Sequence, residues 1–219
     1  MTSRPEILAA ARRLIDRDGW EKLTVRRLAA ELGIGTTTLY HHVRDKEDLL
    51  LLLLNEFAGG IPQPPLPADP RDRIVAAAAA LHESLAAWPW AAEILTADGF
   101  VGLLGEPALW TVEAVVGGAV DAGCTHEQGV EVFRSLWYYT VGEILVRAHS
   151  ARARQGGAHR APAGGFFGQV DPSRLPHLAA VGDRWPTIAA RDTYPWGLRA
   201  FVDGLITHAT SGAGAPPRP

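Results

Sequence analysis

Three consecutive threonines, Thr36, Thr37 and Thr38, closely precede Tyr40, His41 and His42, with Lys46 four positions further on. Short hydroxyl-bearing side chains let a backbone approach a polyanion closely, donate to phosphate oxygens and lay methyl groups against thymine methyls. Tyr40, His42 and Lys46 add reach and positive charge for phosphates. The paired imidazoles invite a metal or catalytic reading. Neighbouring helical residues point about 100° apart, however, so His41 and His42 do not converge on one ion. Later in the chain the large aromatics are in excess: Trp88, Trp90, Phe100, Trp110, Phe133, Trp137, Tyr138 and Tyr139, accompanied by His82, Glu113 and Glu143. Each aromatic can simply fill a helical core. Together they also suit an apolar cavity with a few polar groups, able to stack on a flat molecule. The candidate ligand-binding residues are His82, Trp88, Phe100, Trp110, Glu113, Trp137, Tyr138 and Glu143. No nucleophile–base pair, glycine-rich phosphate loop or metal-ligand spacing is present, so neither a catalytic residue nor a cofactor or metal site is expected.

The elements that must position these residues read as helical almost throughout. A Ser3/Glu6 capping box opens a first helix with Ile7, Ala10, Ala11, Leu14 and Ile15 on one face, stopped by Gly19. Thr24 caps a second helix with Val25, Leu28, Ala29 and Leu32 as its apolar face, ended by Gly33. A short third helix runs from Thr36 to about His42, and Asp45 caps a fourth. Two short helices about the turn Gly33-Ile34-Gly35 form the layout of a helix-turn-helix, whose second helix enters the major groove. The leucine run Leu49 to Leu54 is far too short to span a bilayer and suits core packing, with its surplus leucines against the rest of the chain.

Proline-rich Gly59 to Pro70 reads as a linker. Beyond it, Asp69-Pro70 opens a helix with Ile74, Ala78, Leu81, Leu85 and Trp88 in one stripe, stopped by Pro89. Further helices are expected from Pro107 to Ala122, from Gln128 to about His149 behind a Thr125/Gln128 capping box, and from Pro195 to His208 with Leu198, Phe201, Val202, Leu205 and Ile206 as its face. Gln155 to Gly168 reads as a mobile loop and Ser211 to Pro219 as a disordered tail. The expected fold is all-α: a three-helix DNA-binding domain over residues 1–48 and a larger helical ligand-binding and dimerisation domain over 49–210, followed by the tail, 211–219.

The 219 residues carry a net charge of −3, and 47% are hydrophobic, enough for a packed core and against wholesale disorder. Residues 1–48 hold nine Lys or Arg against eight acids, and the remainder twelve against sixteen. That tilt is in the direction expected of an N-terminal nucleic-acid-binding unit. One cysteine, Cys124, excludes an internal disulfide and a cysteine-based zinc site. Arg12, Arg13, Asp16 and Arg17 interrupt the N-terminal apolar residues, so no signal peptide is expected and the location is expected to be cytoplasmic.

The segment LTVRRLAAELGIGTTTLYHHVRDKEDLL, Leu23 to Leu50, resembles the TetR-type transcriptional regulators over roughly residues 5–57. The later chain resembles the tetracycline-repressor branch through Trp88-Pro-Trp90, Tyr139-Thr-Val-Gly142-Glu and the closing Gly-Leu…Phe-Val-Asp-Gly-Leu pattern. The resemblance implies a homodimer that holds a palindromic operator in double-stranded DNA and releases it when a small molecule fills the C-terminal domain. It implies Arg26 as a base reader, Thr36 and Thr37 where the recognition helix meets bases, and Thr38, Tyr40, His42 and Lys46 on phosphates. Thr24 would cap its helix toward a phosphate, and His41 would touch sugar or base. A histidine that helps the tetracycline repressors bind the drug's magnesium ion has no counterpart in Thr96-Ala-Asp-Gly-Phe100, which argues against tetracycline and any metal. Two other readings remain open: a helix-turn-helix regulator controlled by a protein partner, and a helical small-molecule-binding protein or enzyme that keeps the helix-turn-helix as scaffold.

Overall fold

The computed structural model describes residues 2–96, 102, 104–155 and 170–212, and all regular structure among them is helical. Local signals start and stop the first four helices. In α1 (Arg4–Asp18) the Ser3 N–H donates to Glu6 Oε2 at 2.7 Å and the Glu6 N–H returns to Ser3 Oγ at 3.4 Å. Gly19, at φ 89°, turns the chain into a 3-10 turn at Trp20–Lys22. Thr24 Oγ1 accepts the Arg27 N–H at 3.2 Å to open α2 (Val25–Leu32). A short turn leads to α3 (Thr36–Tyr40), and Asp45 accepts the Asp48 N–H at 2.8 Å to open α4 (Lys46–Gly59).

Four longer helices and three short ones carry the described residues through the middle and end of the chain. They are α5 (Pro70–Ala86), α6 (Pro89–Ile94), α7 (Glu106–Asp121), α8 (His126–Gln155), α9 (Pro176–Val181), α10 (Trp185–Ala189) and α11 (Tyr194–Thr210). Three of these, α6, α9 and α10, are absent from the sequence expectation. Pro89 does end α5, yet it also serves as an opening residue of α6, because its missing N–H costs nothing at a helix start. Helix α8 continues past His149 to Gln155, its last turn carrying Arg152 and Arg154, cations that favour a helix C-terminus. The expected mobile loop, Gln155 to Gly168, lies outside the described residues apart from its first position. So does the expected tail beyond Gly212.

Packing divides into two apolar clusters. The first joins the inner faces of α1, α2 and α3 to Leu49, Leu50, Leu53 and Leu54 of α4, then continues into Leu85, Trp90, Ala91, Ala92 and Ile94 and the α8 residues Val141 and Ile144. The second packs α5 and α7 against α8 and α11 through Ile74, Ala78, Val115, Ala119, Leu136, Leu198, Val202 and Ile206. The apolar face of α11 is therefore consumed within the subunit.

The α5–α7 crossing depends on one small residue. A Cβ at buried Gly118 would lie 2.7 Å from Ile74 Cγ1 and 3.1 Å from the Pro70 carbonyl, whereas one at neighbouring Gly117 would meet nothing within 4 Å. Gly118→Ala should therefore lower unfolding stability by about 1–3 kcal/mol through overpacking. Gly117→Ala should raise it by about 0.5–1 kcal/mol, because alanine restricts the unfolded chain and favours helix. Urea titrations of both variants check this; shifts of the same sign would refute the packing account.

Candidate nucleic-acid interface and its links to the C-terminal domain

The turn before α3 is set by Gly33, whose φ of 64° lies in the left-handed region, with Ile34 N–H donating to the Ala29 carbonyl at 3.0 Å. Helix α3 is only five residues long and is held by one side. Leu39 is fully buried, and with Val43 and Leu28 it belongs to the first cluster. That leaves Thr36, Thr37, Thr38 and Tyr40 on the solvent side, Tyr40 with 55% of its surface exposed. Tyr40 is thus not a core residue. His41 is exposed, and His42 is half-buried.

The two arginines of α2 have different surroundings. Arg27 donates to Asp18 Oδ2 at 2.5 Å and to the Lys22 carbonyl at 3.1 Å, which ties α2 back to the end of α1. Arg26 is exposed and has no polar partner among the described residues. Lys46 is anchored: its Nζ donates to the Glu21 carbonyl at 2.9 Å and lies 5.2 Å from the centre of the Trp20 ring. One of its three donors is thus engaged in holding the start of α4 against the 3-10 turn. Asp48 accepts the Arg44 N–H at 2.9 Å, and that bond, reinforced by the Arg44 guanidinium, holds its carboxyl below the usual carboxylate range.

Polar contacts that no local sequence pattern signals connect this unit to the later helices. The Trp20 indole N–H donates to Glu93 Oε2 at 2.7 Å, across 73 positions of chain. Arg152 donates to the other Glu93 oxygen at 3.2 Å. Glu93, on α6, is thereby shared between the DNA-side turn and the end of α8. A second link runs from α4: Asn55 Oδ1 accepts the Gly105 N–H at 2.6 Å, just ahead of α7.

The candidate ligand residues do not gather in one cavity. Trp137 lines an apolar cavity of about 40 Å³ whose other walls include Leu54, Phe57, Leu81, Thr111 and Phe133. Trp88 lies instead in a cavity of about 240 Å³ facing Arg12. Trp110 and Glu113 line an outer groove with Gln63 and Leu109. His82 and Glu143 pair with each other, Nε2 to Oε2 at 2.7 Å, and His82 stacks on Tyr194 with ring centres 3.7 Å apart. Burial pushes the Tyr194 hydroxyl up to about 12, so it stays protonated, 2.8 Å from Thr140 Oγ1. Tyr138 is 60% exposed and accepts from the Arg134 guanidinium at 2.9 Å. Phe100 lies outside the described residues. Thr111 is a buried polar residue on the apolar cavity that the sequence reading did not single out. Burial raises the pKa of the Cys124 thiol, which disfavours the thiolate a redox sensor needs. No helix among the described residues is long and apolar enough to cross a membrane.

Residues 7–53 match the family described as bacterial regulatory proteins, tetR family, and residues 63–209 match the tetracyclin repressor-like C-terminal domain. An HTH-type transcriptional regulator of Saccharopolyspora erythraea is 32% identical over 146 residues, 66% of this chain and 60% of its own length. The chain thus spans 60% of that relative. The HTH-type transcriptional repressor DrrR1 of Streptomyces coeruleorubidus is 29% identical over 212 residues, 91% of this chain and 75% of its own. Among solved structures, Mycobacterium smegmatis BioQ has a similar fold, with a TM-score of 0.71 at 24% identity over 95% of this chain and 99% of BioQ.

The Glu93 junction makes a measurable claim. Trp20→Phe removes the indole N–H together with part of the ring and should cost about 1.5–3 kcal/mol of stability through the lost hydrogen bond to a charged group, with a packing loss in addition. Glu93→Ala should cost at least as much, and the double variant should cost less than the two together. Strict additivity in urea titrations would show that the two side chains do not work as a pair.

Proposed function

The chain belongs to the tetR family of bacterial regulatory proteins, and on that premise we propose that this DNA-binding transcriptional regulator is a homodimeric repressor released from a palindromic operator by a small apolar effector. The observation that carries the reading is the division of α3. Leu39 anchors the helix, while three threonine hydroxyls and the Tyr40 phenol stand on its solvent side, with exposed Arg26 on the neighbouring α2. That surface matches what a major groove needs: short side chains at the base edges, with longer and charged ones for the flanking phosphates. Arg26, Thr36 and Thr37 read bases in this proposal. Thr24, Thr38, Tyr40, His42 and Lys46 meet phosphates, with His41 on sugar or base.

The dimer follows from what the monomer leaves uncovered. Tyr138, Gly142 and Val146, four positions apart on α8, are exposed on one face of that helix. On α11, Trp196 is 77% exposed, in line with Ala200 and Gly204. Large apolar side chains beside small ones on adjacent helices suit a two-fold four-helix bundle with a second copy.

The effector enters the apolar cavity. Leu54, Phe57, Ala58 and Ile61 supply one wall from α4 and its end, while Thr111, Phe133 and Trp137 supply the opposite one. Small-molecule sites hold roughly 300 Å³ or more. An occupant that large must spread the 40 Å³ cavity and move α4, the helix that carries the DNA-reading unit. A ligand that prefers the spread arrangement thereby respaces the two recognition helices, which must sit about 34–36 Å apart or a multiple of that spacing.

Three measurements check this proposal. Arg26→Ala should relax base preference at one operator position, costing about 1–3 kcal/mol, while Tyr40→Phe should weaken binding to all sequences and flatten its salt dependence. If both variants bind the cognate duplex as the wild type does, the interface is elsewhere. Val146→Glu with Trp196→Arg should sediment as a folded monomer, and an unchanged dimer would refute the bundle. Trp137→Ala should uncouple effector from operator release by about 5- to 150-fold, the usual range of such coupling. An unaltered response would move the effector site out of the apolar cavity.

A further inference from the structure

We propose that the effector is an uncharged, mainly hydrocarbon molecule that presents one hydrogen-bonding oxygen to Thr111; this rests on the reading of the apolar cavity as the effector site. Thr111, on α7, is only 4% exposed and lies on the cavity wall. Other hydroxyls inside the helices find partners. Half-buried Ser84 and Ser135 donate to the carbonyls four positions back, at 2.9 Å each, and buried Thr140 is bonded to the Tyr194 hydroxyl at 2.8 Å. Thr111 makes no such bond to the Pro107 carbonyl, and its hydroxyl has no other hydrogen bond among the described residues. The oxygen is nevertheless not sealed in, as the Trp90 indole N–H is, so the little surface that Thr111 keeps includes its hydroxyl. Buried hydroxyls are almost always paired, and this one stands ready for an atom that enters the cavity.

The remaining walls define what carries that atom. A water fits within 40 Å³, but a buried water makes about three hydrogen bonds, and Thr111 and Trp137 are the only lining residues with a polar side-chain atom. An oxygen borne on an apolar skeleton needs only the one bond, because its skeleton meets Leu54, Phe57, Leu81 and Phe133. No Asp, Glu, Lys, Arg or His lines this cavity. An ion brought there would lose its hydration and gain no countercharge, which excludes carboxylates, phosphates and ammonium groups. The bond at Thr111 sets the oxygen on α7 and directs the hydrocarbon toward α4, the helix that an occupant must move.

Acetophenone and ethylbenzene, which differ by a carbonyl oxygen in place of two hydrogens, test this on the full-length protein, with benzoate as the charged comparison. Binding is followed by NMR through the indole N–H resonance of Trp137, identified by its loss in Trp137→Phe. Thr111→Val should weaken acetophenone about two- to tenfold, the worth of one neutral hydrogen bond, and leave ethylbenzene unchanged or tighter. Thr111→Ser, which keeps the hydroxyl, should retain acetophenone. Benzoate should bind about tenfold more weakly than acetophenone or worse. Because the hydroxyl has no partner in the free protein, Thr111→Val should also leave the urea midpoint unchanged or raise it. A lowered midpoint, an equal effect of Thr111→Val on the two neutral probes, or benzoate as tight as acetophenone overturns the proposal while the cavity stands as the effector site. If neither neutral probe shifts the Trp137 resonance at its aqueous saturation, the effector reading falls and the proposal falls with it.

Discussion

The burial of α4 on more than one side is the constraint from which the remaining architecture follows. Leu49, Leu50, Leu53 and Leu54 are all sealed from water, and between them they touch the DNA-reading helices and the helices of the C-terminal half. The four leucines span about 140° of the helix circumference, wide enough to meet two sets of helices at once, while Glu47 and Glu56 face solvent. The first apolar cluster therefore runs unbroken from α1 to α8. Close packing transmits displacement, because a core at crystal-like density has little slack to absorb it. Whatever moves α4 at one end moves the three-threonine helix at the other.

Polar contacts then fix the angle at which the two halves meet. Glu93 accepts from Trp20 on one side and from Arg152 on the other, and Lys46 is held against the same 3-10 turn. These bonds sit around the apolar cluster and give direction to an attraction that has none. The two cavities lie on different flanks of the same helix: the 40 Å³ cavity toward α7 and α8, the 240 Å³ cavity toward α1 and α6. Phe57 and Ile61 border both.

Much of this was legible in the residues themselves. Ser3 and Glu6, Thr24, Asp45, Asp69 and the Thr125/Gln128 pair all cap as their types and spacing require, since a cap acts within three or four positions. The exposed threonines and the buried Leu39 follow from helical periodicity in the same way. The ligand residues were a different matter. Aromatic enrichment shows that rings are available, and their shared cavity depends on how five helices rotate about their axes. His82 and Glu143 found each other, Trp137 found the apolar cavity, and Tyr138 found solvent.

The sequence by itself determined the longer helices, their capped starts, the helix-turn-helix and the face of α3 that looks outward. All of these are set by interactions between residues a few positions apart. The tertiary structure alone decided that Trp20 meets Glu93, that Arg12 stacks on Trp88, and that the face of α11 is spent inside the subunit. Those outcomes depend on crossing angles and close approaches such as the one Gly118 permits between α5 and α7. A periodic pattern says which side of a helix is buried, and only packing at fixed volume says against what.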